Sequence, residues 1–216
     1  MSTFVVHSIP GSPFGRAVLV TLIEKQADYR LAPVSPAALR APENLARHPF
    51  GRVPSLEHGE FRMFETQAIL RYLDRVLPAP PLTPSDPRAA ARMDQLMNIN
   101  DWYLFQGVSS AIVFQRIVGP RLLGLVPDEA AIAAALPKAK VVIDVLGQQL
   151  ADRPFFTGSA LSLADILLAP QLDMFSETPE WKLLAANQPK LVGWLERMTT
   201  RNSMRATTWD TVAAQR

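Results

Sequence analysis

Five of the chain's nineteen prolines fall between Leu77 and Pro87, in LPAPPLTPSDP. Proline fixes φ and has no backbone N–H to donate, so neither a helix nor a central strand runs through such a stretch. It reads as a stiff linker. A chain of 216 residues is long enough for two modest domains. The expected division is a first domain at 1–77, the linker at 78–86, a second domain at 87–201 and a tail at 202–216.

The two sides of the linker carry different periodicities. Before it, element types alternate. Thr3 to Ser8 is β-branched and aromatic and ends at Pro10-Gly11, a strand followed by a loop. Ser12-Pro13 then opens a helix, with serine as N-cap and proline at its first position. Phe14, Val18, Leu19, Leu22 and Ile23 recur at helical spacing and predict its buried face. Tyr29 to Val34 reads as a second strand and Pro42 to Arg47 as a short helix or irregular turn. Val53–Glu57 and Phe61–Phe64 flank His58-Gly59-Glu60, a hairpin. Thr66 to Val76 carries Ile69, Leu70 and Leu73 at helical spacing. The order is βαβ followed by ββα.

After the linker the pattern is helical throughout. Arg88 to Phe114 predicts one long helix, bent at Gly107 and stopped at Gly119-Pro120. Asp128 to Leu150 predicts a second, kinked or broken by Pro137. Leu163 to Phe175 is almost wholly apolar, which predicts a buried helix, kinked at Pro170. Trp181–Ala186 and Lys190–Thr200 supply two more. Residues from Arg201 onward read as an irregular tail that Trp209 docks. The fold class is an α/β first domain joined to an all-α second domain.

Composition excludes several chemistries. Cysteine is absent, which removes disulfides, thiolate metal sites and a cysteine nucleophile. The three histidines, His7, His48 and His58, lack metal-ligand spacing, so no metal is expected. Charged residues make up 19% and the net charge is +2, with no Lys/Arg run interleaved with aromatics. Nucleic acid is therefore a poor partner. The N-terminus lacks a basic region followed by a long apolar run, and no stretch approaches ~18 apolar residues. A soluble cytoplasmic protein is the expectation.

Three short motifs carry candidate chemistry, each beside a plain structural explanation. Ser12 is an ordinary N-cap, but a capping serine accepts from helix amides and keeps its O–H proton free to donate. A thiolate placed there would receive that proton and meet the positive helix end. Val53-Pro54 is either a trans proline at a strand start or a cis bond that turns the Val53 N–H and C=O outward, toward an extended peptide ligand. Glu65-Thr66 is either a favourable helix start or a receptor for an amino-acid head group. In the second case Glu65 takes the ammonium, and Thr66 with the helix amides takes the carboxylate. Ser162 and Asp165 form a capping-box-like pair, with Leu161 and Ile166 spaced for a hydrophobic staple, and read as structural. Trp102, Tyr103, Phe105 and Phe114 cluster on the first long helix. Aromatics at that density usually pack a core, though some can line an apolar pocket.

The runs GSPFGRAV, HPFGRVPSLEHGEFRMFETQAILRYL and FTGSALSLADILLAP, in this order and spacing, resemble the cytosolic glutathione transferase superfamily. The likeness is to its serine-type, bacterial-like members, with a Ser-Pro-Phe motif of the tau, phi and zeta style. The resemblance covers roughly residues 3 to 200. It implies a thioredoxin-like first domain and a helical second domain. Ser12 would be the thiolate-activating serine. Val53 would pair with the cysteinyl part of glutathione, with Pro54 as the cis-proline. Glu65 and Thr66 would grip the γ-glutamyl group, and Arg52, with Arg40, would reach the glycyl carboxylate. Phe14, Trp102, Tyr103 and Phe105 would line the electrophile pocket. The resemblance further implies a cytoplasmic homodimer that detoxifies apolar electrophiles with glutathione as co-substrate. Without a cysteine near position 12, disulfide exchange by an enzyme thiol is excluded. GSPFG stands in place of the Ser-Ser-Cys run of maleylacetoacetate isomerases, which weakens an isomerase role. A non-catalytic binding or scaffold protein, or a peroxidase, dehalogenase or isomerase reaction, remains the alternative.

Overall fold

The computed structural model describes residues 3–214. Residues 1–2 and 215–216, the ends of the expected first domain and tail, lie outside the described residues. The chain packs as two units. The first takes the residues up to Thr83 together with those from Thr200 onward, and the second is Pro84–Thr199.

The first unit is built on β1 (Phe4–Ser8), α1 (Pro13–Glu24), β2 (Tyr29–Pro33), a 3-10 turn (Pro36–Arg40), α2 (Pro42–Arg47), β3 (Ser55–His58), β4 (Phe61–Phe64) and α3 (Thr66–Val76). The strands form one mixed sheet in the order β2-β1-β3-β4. Strand β2 runs parallel to β1, and the other two pairings are antiparallel. Successive side chains alternate across a sheet, so Phe4, Val6 and Leu56 share one face with α1 and α3. Val18, Leu22, Ile69, Leu70 and Leu73 close this core, each fully buried. Phe14 and Ile23, expected on the buried face of α1, are only half-buried, and Ala17 and Val20 take their place. The opposite face carries His7, whose Nε2 lies 3.3 Å from Glu57 Oε1 without hydrogen-bond geometry.

Much of the proline-rich segment is fastened to this unit. The buried Lys25 ammonium contacts Asp74 Oδ1 and the Pro80 carbonyl at 2.5 Å, and Leu82 N–H donates to the same Asp74 oxygen. The tail, expected to be irregular, forms α10 (Asn202–Arg205) and α11 (Trp209–Ala213). It packs on α1 through polar contacts with little periodic signal. Arg201 clamps the Glu24 carboxylate at 2.8 and 2.7 Å, Ser203 donates to it, and Arg16 donates to the Met204 carbonyl at 2.9 Å.

The second unit is helical: α4 (Pro87–Ile99), a wide-turned π-helical stretch (Asn100–Val118), α5 (Gly119–Leu123), α6 (Glu129–Leu150), α7 (Leu163–Ser176), α8 (Pro179–Leu184) and α9 (Pro189–Thr199). Gly119-Pro120 does not stop the first long helix. Pro120 sits in the first turn of α5, where a missing donor is tolerated; Gly124, at φ +65°, ends it instead. Helix α6 likewise runs through Pro137 without a break. Its buried Ile132, Ala139, Val142, Ile143, Leu146 and Leu150 pack against the π-helical stretch. Burial at ~1.5–3 kcal/mol per large side chain outweighs the ~3 kcal/mol a mid-helix proline costs. Helix α7 is the centre of this unit and is buried from Leu163 to Leu172.

Candidate functional site

One end of the sheet gathers the sequence motifs. In the β1–β3 register His7 faces Ser55, and in the β3–β4 register Ser55 faces Phe64. The chain leaving β1 toward Ser12, the chain entering β3 from Val53-Pro54, and the chain leaving β4 into Glu65-Thr66 therefore all meet at that end. No sequence periodicity could reveal this, because it depends on which strands pair.

Ser12 is the N-cap of α1. Its Oγ accepts from Gly15 N–H at 3.2 Å, and its N–H donates to the Ile9 carbonyl at 3.0 Å. Pro10 and Gly11 occupy the centre of that turn, with Gly11 at φ +88°, as a turn with positive φ at its third residue requires. Gly15 has a different reason. A β-carbon there would fall 1.8 Å from Ser8 Oγ, so only glycine lets α1 come this close to β1. The first turn of α1 holds no acidic residue, which leaves its positive end uncompensated.

The Val53–Pro54 peptide bond is cis, the rarer of the two states left open above. Pro54 is buried and Val53 half-buried. Strand β3 begins after the proline, at Ser55, because Pro54 has no N–H for the ladder. Glu65 precedes α3 at φ +71°, and its side chain does not cap the helix. It is exposed and makes no hydrogen bond or ion pair among the described residues. Non-glycine residues held at such φ values cost about 1–3 kcal/mol and cluster at ligand sites. Thr66, behind it, is buried at 6% exposure.

Arg40 and Arg52 are both exposed and form no side-chain ion pair or hydrogen bond among the described residues. The Arg40 side chain runs over Gly51: a β-carbon on Gly51 would lie 3.0 Å from Arg40 Cδ and 3.2 Å from Nε. Two cationic groups are thus brought to the Gly51–Val53 turn. Asn44 organises them, and its role was not visible in the sequence. This buried amide on α2 donates to the carbonyls of Leu39, at 3.0 Å, and Arg52, at 3.5 Å. His48, packed on Phe64 at 4.8 Å between ring centroids, lies beside the same turn. Burial, with help from the Arg52 charge, lowers its pKa against the opposing pull of Glu65.

The remaining predicted residues lie elsewhere. Phe14 and Phe105 are half-buried, whereas Trp102 and Tyr103 are 65% and 61% exposed and belong to no core. Asp165 is fully buried. It accepts from Ser162 N–H, Ser162 Oγ, Phe156 N–H and the Trp194 indole at 2.6–3.0 Å. Burial raises its pKa against these bonds. Among the described residues, no cluster of His, Cys, Asp or Glu could hold a metal ion, and no helix is long and apolar enough to cross a membrane.

A four-stranded mixed sheet with such an end, followed by a helical unit, defines a glutathione-transferase-like architecture. The family model for the glutathione S-transferase N-terminal domain matches residues 6–81, and that for the C-terminal domain matches residues 105–202. A glutathione S-transferase of Hyoscyamus muticus is 30% identical over 91% of this chain and 93% of its own. The apo structure of glutathione S-transferase III superposes with a TM-score of 0.83 at 30% identity, covering 99% of this chain and 97% of that one. Glutathione S-transferase I with bound lactoylglutathione gives 0.84 at 26% identity, over 95% and 98%. The chain belongs to the glutathione S-transferase family.

Proposed function

We propose that this glutathione S-transferase lays glutathione across the end of the sheet and uses Ser12 to favour its thiolate. The observation that carries the proposal is the strand register, which brings the segments that carry Ser12, Val53 and Glu65-Thr66 to one end of the sheet. The peptide would run strand-like past Val53, its cysteinyl N–H and C=O paired with the Val53 backbone. Its γ-glutamyl ammonium would meet the Glu65 carboxylate. Its γ-glutamyl carboxylate would meet Thr66 and the uncapped amides of α3. The glycyl carboxylate would lie within the field of Arg40 and Arg52.

The chemistry follows from the thiol's acidity. A free thiol titrates near ~8.5, so little is thiolate at neutral pH. The Ser12 hydroxyl accepts from Gly15 and donates its proton to sulfur, and the open end of α1 adds positive potential. Both act on the charged form only, so both lower the pKa. The thiolate then attacks an electrophilic carbon, forming the C–S bond as the leaving group departs with its electron pair. Exposed Trp102 and Tyr103, with half-buried Phe105, offer aromatic surface on the helical unit for an apolar electrophile. A cytoplasmic homodimer is the assembly we propose.

Ser12→Ala tests this directly. Titration of the enzyme-bound thiol by ultraviolet absorbance should shift upward by one to two units, with kcat/KM at neutral pH falling about 10–100-fold. An unmoved titration would remove Ser12 from the mechanism.

A further inference from the structure

Trp209, near the chain's C-terminus, lies on the residue immediately before Ser12. A β-carbon built on Gly11 would fall 2.2, 2.4 and 2.6 Å from three atoms of its indole, Cδ2, Cε3 and Cε2. The ring therefore rests on bare backbone, in a space that exists only because residue 11 has no side chain. Gly11 and its neighbour Pro10 form the turn that Ser12 N–H closes on the Ile9 carbonyl. Gly11 is the most permissive residue of that turn, and a covering ring limits its rotation.

The ring's own position is fixed by α1. Glu24, at the far end of α1, is clamped by Arg201 and Ser203. Arg16, one turn after Ser12, donates to the Met204 carbonyl and to Thr207 Oγ1. Thr208 then caps α11, accepting from Thr211 N–H at 3.2 Å, and Trp209 is its first residue. Both the helix that Ser12 caps and the turn that delivers Ser12 are therefore held by one C-terminal segment.

We infer that Trp209 is a positioning residue for Ser12, holding the Ile9–Ser12 turn so that the serine hydroxyl points at the bound thiol; this rests on the role proposed for Ser12. Positioning of a donor matters because a displacement on the order of 1 Å can cost ~100-fold in rate. The ring rests on Gly11, next to Ser12 in the chain, whereas the proposed γ-glutamyl and glycyl anchors belong to other segments, so its loss should act on the thiol and spare the rest of the ligand.

The test compares Ser12→Ala, Trp209→Ala and Trp209→Phe in the full chain. For Trp209→Ala, the bound thiol should titrate about one unit higher, kcat/KM below that pKa should fall about tenfold, and activity should recover as pH rises above it. Affinity for S-methylglutathione, whose sulfur cannot ionise, should stay within twofold. Trp209→Phe should restore most of the shift by keeping a flat ring. If Ser12→Ala moves the titration and Trp209→Ala does not, the inference is overturned while Ser12 keeps its role. If Ser12→Ala moves nothing, the role of Ser12 fails and takes the inference with it. A parallel loss of S-methylglutathione affinity and melting temperature, with the titration unmoved, also overturns it. Should Trp209→Ala not fold, Trp209→Leu, which keeps apolar cover without a flat ring, decides by the same readouts.

Discussion

Two helix starts in this molecule use the same ingredients to opposite ends. At α3 an acid and a hydroxyl, Glu65 and Thr66, stand at the N-terminus; at α7 a hydroxyl and an acid, Ser162 and Asp165, do the same. Asp165 is fully buried and takes four donors. The exposed Glu65 carboxylate takes none among the described residues, and its backbone sits at φ +71°. A saturated pair is architecture, because every polar group there already has its partner. An open pair held at a costly backbone angle is poised for a ligand. The difference lies in satisfaction rather than in residue type.

The sharpest break of this comparison is Asp165→Ala. It strands three buried N–H donors, from Phe156, Ser162 and Trp194. Each costs about 1–3 kcal/mol unpaired, so the loss should be about 4–5 kcal/mol in denaturant unfolding, with specific activity of the folded fraction unchanged. A variant as stable as the parent would show that the hub is not structural. Glu65→Gly should do the reverse. Relief of the positive φ should stabilise the free protein by about 1 kcal/mol, while loss of a charged partner weakens glutathione binding by about 2–3 kcal/mol in calorimetry. Unchanged affinity would remove Glu65 from the site.

The smallest effect is in pH. Burial lowers the pKa of His48 and His7 in the fold, so the stability each contributes is present above the unfolded value of 6.5 and is lost as pH falls below it. Asp165 has the opposite sign. Burial raises its pKa, so its contribution is present below the unfolded value of 3.8 and is lost as pH rises through the folded value. Denaturant midpoints followed from neutral to acid pH should show a His48 slope that His48→Gln abolishes and an opposing Asp165 slope that Asp165→Asn abolishes. Identical profiles in all three proteins would contradict both signs.

Much of the fold was legible because it rests on local pattern. The limits of α3, the cap at Ser12 and the apolar run of α7 all follow from spacing and composition. The misses share one cause, which is tertiary context. Aromatic density left Trp102 and Tyr103 open to core or pocket, and both stand exposed on a π-helical stretch, which has more residues per turn than an α-helix. Pro137 looked like a breaker, yet packing along α6 outweighs one lost hydrogen bond. The tail looked irregular because its order comes from an ion pair with Glu24 and hydrogen bonds from Arg16, nearly two hundred residues away in sequence. At the site, residue types were readable from the motifs. The amide of Asn44, which ties the carbonyls of Leu39 and Arg52 together, was not, since a buried asparagine has no periodic signature.

The return of the chain from Thr200 onward to α1 has a consequence for synthesis. The first unit is interrupted in sequence by the whole of the second. During translation the sheet, α1 and α3 emerge first, while Glu24, Arg16 and the face of Gly11 wait uncovered for more than a hundred further residues. At ~5–20 residues per second, that interval lasts on the order of ten seconds. A fragment ending at Thr83 would keep the sheet and lack its last two helices. The turn that carries Ser12 therefore acquires its Trp209 cover only when the residues from Thr200 onward have left the ribosome.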